Sequence, residues 1–165
     1  MKALIVIETC FGNTEQIAHA IADGLRSDGA EVHTVQADDP FSPQGFDLLL
    51  VGSPTHSMGL PKAATRQQAR TKGGHPNSTG IAEWLDTLPT LAGQRVAGFS
   101  TVTGGIFSGS ASKVIEKHLR RLGATIDGRK DFTVRGTTGP LADGELERAR
   151  DWGVRLGGRS AEHPR

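Results

Sequence analysis

The chain has 165 residues, 36% of them hydrophobic and 22 of them glycine, enough for one domain with a real core and many tight loops. A formal net charge of +1 excludes a large nucleic-acid-binding field, and the single cysteine excludes an internal disulfide. The apolar opening stops at Glu8, too soon for a signal peptide or a membrane span, so a soluble cytoplasmic protein is expected.

Residues 3–7 are a continuous apolar run rich in β-branched side chains, as expected of a central strand covered on both faces. Thr9, Cys10, Phe11, Gly12, Asn13 and Thr14 form a turn. Ile17, Ala18, Ile21, Ala22 and Leu25 then recur at helical spacing. Asn13 with Gln16 three residues on reads as a capping pair, which starts the helix at about Thr14. The first N–H groups of a helix have no partner within it, and the helix dipole favours an anion there, so this turn can hold a phosphate. Thr9 and Thr14 add hydroxyls, Asn13 adds an amide, and Gly12 allows close backbone approach. The turn holds no Lys or Arg, so neutral donors would carry the dianion. The alternative is an ordinary strand–helix turn.

At these residues the chain resembles the flavodoxin-like family. That family's signature is an apolar strand, a hydroxyl residue, a short turn with Gly, a Thr at the helix start, then Ala and an apolar residue. Thr9, Gly12, Thr14, Ala18 and Ile21 stand at those places, and Ile7 departs from the usual Tyr or Phe. The resemblance implies FMN as cofactor.

Further along, residues 31–36 read as a mixed edge strand broken by Asp38-Asp39-Pro40, and residues 46–51 as a strongly apolar third strand. Arg66, Arg70, Lys72 and His75 form a weakly basic stretch, read as a solvated helix end and loop. Ile81, Trp84, Leu85 and Leu88 make a helical stripe capped by Ser78 or Thr79. Residues 95–100 form a fourth strand. Ala111, Val114, Ile115, Leu119 and Leu122 make a helix face that Gly123 ends; Lys113, Lys117, Arg120 and Arg121 read as its outer face, with docking of an acidic redox partner as the alternative. A fifth strand is split between residues 124–126 and 132–134. Asp143 caps a last helix whose inner face is Leu146, Ala149, Trp152, Gly153 and Leu156. One domain is expected over residues 1–158, with a disordered tail over 159–165.

Alternating strands and helices argue for a parallel sheet covered on both faces. They fit the flavodoxin-like doubly wound five-stranded sheet, an α/β fold of strand order 2-1-3-4-5. Its switch point lies between strands 1 and 3, so ligands are expected at the carboxyl ends there. The loop after strand 3 runs through Pro54, Thr55, His56, Ser57 and Met58. It resembles the Gly-x-Pro-Thr loop beside the flavin ring in quinone reductases and related members. The loop after strand 4 holds Thr101, Val102, Thr103, Gly104, Gly105 and Phe107. Its backbone could face the pyrimidine edge of a flavin; equally, Gly104 and Gly105 could merely turn the chain and Ser110 cap the next helix.

Electron-carrying flavodoxins commonly sandwich the ring between Trp and Tyr and place carboxylates around it. This chain has no Tyr, both Trp fall in expected helices, and the two ring loops contain no Asp or Glu. A low-potential carrier is therefore not expected, and one flavin face should be thinly covered. Other chemistries fit less well. The thiolate loop of low-molecular-weight tyrosine phosphatases needs an Arg six residues after the Cys, where Gln16 stands. Dinucleotide, P-loop and metal-ligand spacings are absent. The expected function is FMN-dependent redox chemistry, with a redox protein or a small quinone-like acceptor as partner. A flavin-free binding module and a nicotinamide-dependent FMN or quinone reductase are the alternatives.

Overall fold

In the computed structural model, which describes residues 1–159, the elements run β1 (Lys2–Ile7), α1 (Asn13–Ser27), β2 (Glu31–Gln36), β3 (Leu48–Pro54), α2 (Ala63–Thr71), α3 (Ile81–Thr87), β4 (Arg95–Val102), α4 (Ala111–Arg121), β5 (Thr125–Thr133) and α5 (Glu145–Gly158). The tail expected over 159–165 lies, from residue 160, outside the described residues.

Period-two alternation sorts the strand side chains into two layers. Ala3, Ile5 and Ile7 of β1, with Leu48 and Leu50 of β3, face α1 and α5. Leu4, Val6, Leu49 and Val51 face α3 and α4. Each fully buried Leu, Ile, Val or Phe contributes about 1.5–3 kcal/mol, so the two layers supply most of the stabilising free energy. All strand pairs are parallel and the order is β2-β1-β3-β4-β5, as the sequence implied. The order reverses between β1 and β3, so the loops after β1, β3 and β4 converge at one end of the sheet. On the first layer α1 meets α5 backbone to backbone: a β-carbon on Gly153 would lie 2.3 Å from the Ile21 carbonyl oxygen.

Several local expectations are corrected. The start of α1 has no side-chain cap; Gly12 stands at its N-cap and the Asn13 amide reaches Thr138 instead. At α3 the N-cap is Gly80, whose N–H is held by the Glu83 carboxylate at 2.9 Å, not Ser78 or Thr79. At α5 it is Gly144, in the left-handed conformation, and Asp143 makes an exposed ion pair with Arg135 at 2.7 Å. Leu146 and Val114 point outward rather than into the core. The fifth strand is continuous. Its polar middle pairs with β4 across a bulge that leaves Asp127 opposite no β4 residue and ion-paired with Arg95. Asp131 accepts hydroxyls from Ser100, Ser110 and Ser112 at 2.7, 2.8 and 2.5 Å. An edge strand tolerates such residues when each finds a partner.

Candidate functional site

The chain leaves β1 in a turn built from its own small polar residues. Gly12 takes φ 88, a conformation costly for other residues, and the space where its β-carbon would stand has no atom within 4 Å. The Gly12 N–H donates to Thr9 Oγ1 at 3.0 Å. With no side-chain cap, the N–H groups of Asn13, Thr14 and Glu15 have no acceptor among the described residues. They form the positive end of the α1 dipole. Thr14 Oγ1 lies 3.2 Å from Thr101 Oγ1, which ties the first turn of α1 to the end of β4.

The loops after β3 and β4 are tied to each other. The Thr55 N–H donates to the Thr101 carbonyl at 3.0 Å, and Thr55 Oγ1 accepts the Ala111 N–H at 3.1 Å. Thr55, rather than Ser110, therefore satisfies the start of α4. His56 and Gly59 exchange backbone hydrogen bonds at 2.8 and 2.9 Å, closing a tight turn whose central residues, Ser57 and Met58, have φ 47 and 70. Met58 pairs with Gly109, where a β-carbon would lie 2.5 Å from Met58 Cα.

His56 is fixed from both sides. Thr65 Oγ1 accepts the Lys62 N–H at 2.9 Å and donates to the Lys62 carbonyl at 3.2 Å. His56 Nδ1, 2.9 Å away, is then the donor to Thr65. That assignment leaves Nε2 as the acceptor facing Cys10 Sγ at 3.7 Å. Burial, with Glu8 adding to it, pushes the Cys10 thiol up to about 12. Burial, then the Arg66 and Lys72 charges, hold His56 below its ordinary value. Cys10 is thus a protonated thiol beside a neutral imidazole, not a nucleophile.

Arg66 is a second correction. It is fully buried rather than solvated. Its Nε and Nη2 donate to Glu8 at 2.7 and 3.1 Å, and its Nη1 and Nη2 to Glu83 at 2.7 and 2.8 Å. Glu8 also accepts the Ile81 N–H at 3.0 Å. A β-carbon on Gly80 would lie 1.9 Å from Glu8 Oε1, so only glycine fits there. Despite burial, the Glu83 and Glu8 hydrogen bonds raise the Arg66 pKa, and the Arg66 hydrogen bond lowers that of Glu83 to about 2. This cluster pins α2 and α3 to the end of β1.

These loops and α2 enclose a cavity of about 350 Å³. Its wall includes Thr9, Cys10, Phe11, Asn13, Thr14, Pro54, Thr55, His56, Ser57, Met58, Thr101, Thr103 and Phe107. Gly12, Gly104 and Gly105 shape the turns and Val102 ends β4, but none of the four lines it. Sequence reading missed Thr65, Gln68, Ala69 and Lys72 of the α2 side, and Ser108, Val134 and Thr137. The α2 residues share one helix face, but α2 has no apolar stripe to reveal a helix. Neither Trp reaches the cavity wall: Trp84 packs on Phe41 and Trp152 on Phe99 and Phe132. A larger cavity of about 710 Å³ lies at the amino ends of the strands, beside Met1, Phe46 and Gln94. It lacks the uncapped helix start and sits away from the switch point, so the smaller cavity is the candidate site.

Donors without acceptors, hydroxyls and an open glycine fit a phosphate at one end of this cavity. The opposite wall, with His56, Met58 and Phe107, suits a flat apolar group. The fold is shared with a flavodoxin from the domain Archaea (20% identity, TM-score 0.69, covering 99% of this chain and 100% of that one). It is shared also with oxidised flavodoxin 1 from Bacillus cereus (20%, 0.66, all of both chains). A third match is a flavodoxin, WrbA-like protein from Agrobacterium tumefaciens (16%, 0.61, 99% of both). The flavodoxin family model matches residues 5–152. Matched from β1 into α5, the chain belongs to the flavodoxin family, whose cofactor is FMN.

Proposed function

We propose that this chain binds FMN in the 350 Å³ cavity and passes electrons through it. The observation that carries this reading is the uncapped start of α1, where Asn13, Thr14 and Glu15 offer N–H groups beside the Thr9 and Thr14 hydroxyls. In the proposed arrangement these groups hold the FMN phosphate without a cationic side chain. Thr101 braces Thr14, and Asn13 joins the turn to the loop before α5. His56 and Met58 of the turn at residues 56–59 and Phe107 of the loop at residues 101–108 would border the ring. Bound flavin supplies the hydride and electron chemistry, so the protein needs no nucleophile. The neutral His56 adds no charge to the site, and the two ring loops hold no carboxylate. The potential is therefore less depressed than in a site walled by acids.

Addition of FMN to the purified protein should quench flavin fluorescence with a one-to-one endpoint; absence of uptake would contradict the proposal. One observation favours a second reading, a nicotinamide-dependent reductase. Phe107 is 84% exposed and no Trp or Tyr covers the ring wall, which leaves room for a substrate ring. Anaerobic bleaching of the loaded protein by NADPH supports that reading, and unchanged absorbance supports a carrier.

A further inference from the structure

The rim of the cavity carries three strongly exposed apolar side chains: Met58 at 61%, Ile106 at 95% and Phe107 at 84%. Met58 and Phe107 share the cavity wall, Met58 pairs with Gly109, and Ile106 stands next to Phe107 in the same loop. The patch continues onto α4. A β-carbon on Gly59 would lie 3.8 Å from Val114, itself partly exposed, and Lys113 and Lys117 are exposed beside it. Lys62 and Lys72 stand exposed at the two ends of α2.

The segments that carry the patch hold basic residues and no acidic ones. Residues 48–82 and 87–115 contain no Asp or Glu, so all 18 carboxylates of the chain lie elsewhere. Those segments supply both ring loops, α2 and the start of α4. Glu116, the acid next to the patch on α4, is held by Arg120 at 2.9 Å and Arg129 at 3.5 Å. The four lysines make no ion pair among the described residues. With a net charge of only +1, this is a local face and not a basic protein.

We propose that this rim is the docking surface for an acidic redox protein, with Met58, Ile106 and Phe107 at its centre and Lys62, Lys72, Lys113 and Lys117 around them. An apolar centre with a charged border is the anatomy of a transient protein interface. Tight nucleic-acid binding calls for more phosphate contacts than four lysines provide, and for no exposed Ile or Phe at the centre. The surface gains its purpose from the FMN reading, since a partner seated here meets the cavity mouth. It exists in the structure independently of flavin.

The test uses the full isotope-labelled chain, with FMN supplied, titrated with an acidic plant-type [2Fe–2S] ferredoxin and, separately, with a basic c-type cytochrome. Amide shifts on ferredoxin addition should map to Met58, Ile106, Phe107 and Lys113. Affinity should fall about tenfold or more between about 20 mM and about 200 mM salt. The Lys113→Glu, Lys117→Glu double variant should weaken it about tenfold, and Ile106→Ser should weaken it with the salt slope unchanged. FMN affinity, read in the same samples, should not move in either variant. Docking of ferredoxin on the rim without FMN uptake would sink the FMN reading and leave the surface standing. FMN uptake without ferredoxin binding, shifts elsewhere, or equal binding of the cytochrome would overturn the surface. Tighter binding of duplex DNA or anionic vesicles at the same residues would overturn the choice of partner.

Discussion

Replacing Arg66 by Met removes the cation that holds two carboxylates at the end of β1. Arg66 and Glu8 are both almost wholly buried, so among the described residues the change leaves the Glu8 carboxylate with only the Ile81 N–H at 3.0 Å. Breaking such a pair from one side typically costs about 3–5 kcal/mol, because a buried charge is left uncompensated. Glu8 has no room to turn away, since Gly80 lies against its oxygens. Glu83 is partly exposed and recovers water, so its share is small. Arg66→Met should therefore lose about 3–5 kcal/mol, and the double variant with Glu8→Gln should recover much of that. Urea unfolding of wild type, both single variants and the double variant measures the coupling. The same variant tests the link to function: α2 carries Thr65 and Lys72 into the cavity wall, so FMN affinity should fall with it. A loss under about 1 kcal/mol, or a double variant no better than Arg66→Met, would refute the reasoning.

Thr14→Ala should weaken FMN about five- to tenfold, the worth of one hydrogen bond, and leave riboflavin unchanged; parallel fluorescence titrations compare them. Gly109→Ala combines φ +64 with a β-carbon 2.5 Å from Met58 Cα, so urea unfolding should show a loss of about 2–4 kcal/mol. The Glu83 pKa is lowered from 4.5 to about 2, chiefly by the Arg66 hydrogen bond. Its contribution is thus complete above the ordinary value and is lost as pH falls through the folded value. Denaturation midpoints across that acid window should fall more steeply in wild type than in Glu83→Gln.

Much of this arrangement is legible in the sequence because it is local. Residues 3–7 of β1, 48–51 of β3 and 96–99 of β4 are short runs without a charged or hydroxyl side chain, and such runs between turn signals suit strands buried on both faces. The turn from Thr9 to Thr14 lies between two such signals, so its place followed from theirs. The misses are tertiary. Arg66 looks like a solvated cation until the fold brings Glu8 and Glu83 to it, across 58 and 17 residues. Without that contact α2 shows only alanines and polar residues, so the wall it adds could not be found by periodicity. The polar middle of β5 looked like a gap because the three serines that satisfy Asp131 come from β4, from the residue before α4 and from α4. The α1 cap failed for a related reason: Asn13 is a good cap residue locally, but its amide bonds to Thr138 across 125 residues.

The central claim is that the phosphate end of the cavity anchors the cofactor. Titration of the purified protein with FMN and with riboflavin, which lacks only the phosphate, tests it most directly. Several charge-assisted hydrogen bonds at about 1.5–3 kcal/mol each predict FMN tighter by about a hundredfold or more. Equal affinity for the two flavins, or no binding of either, would contradict it.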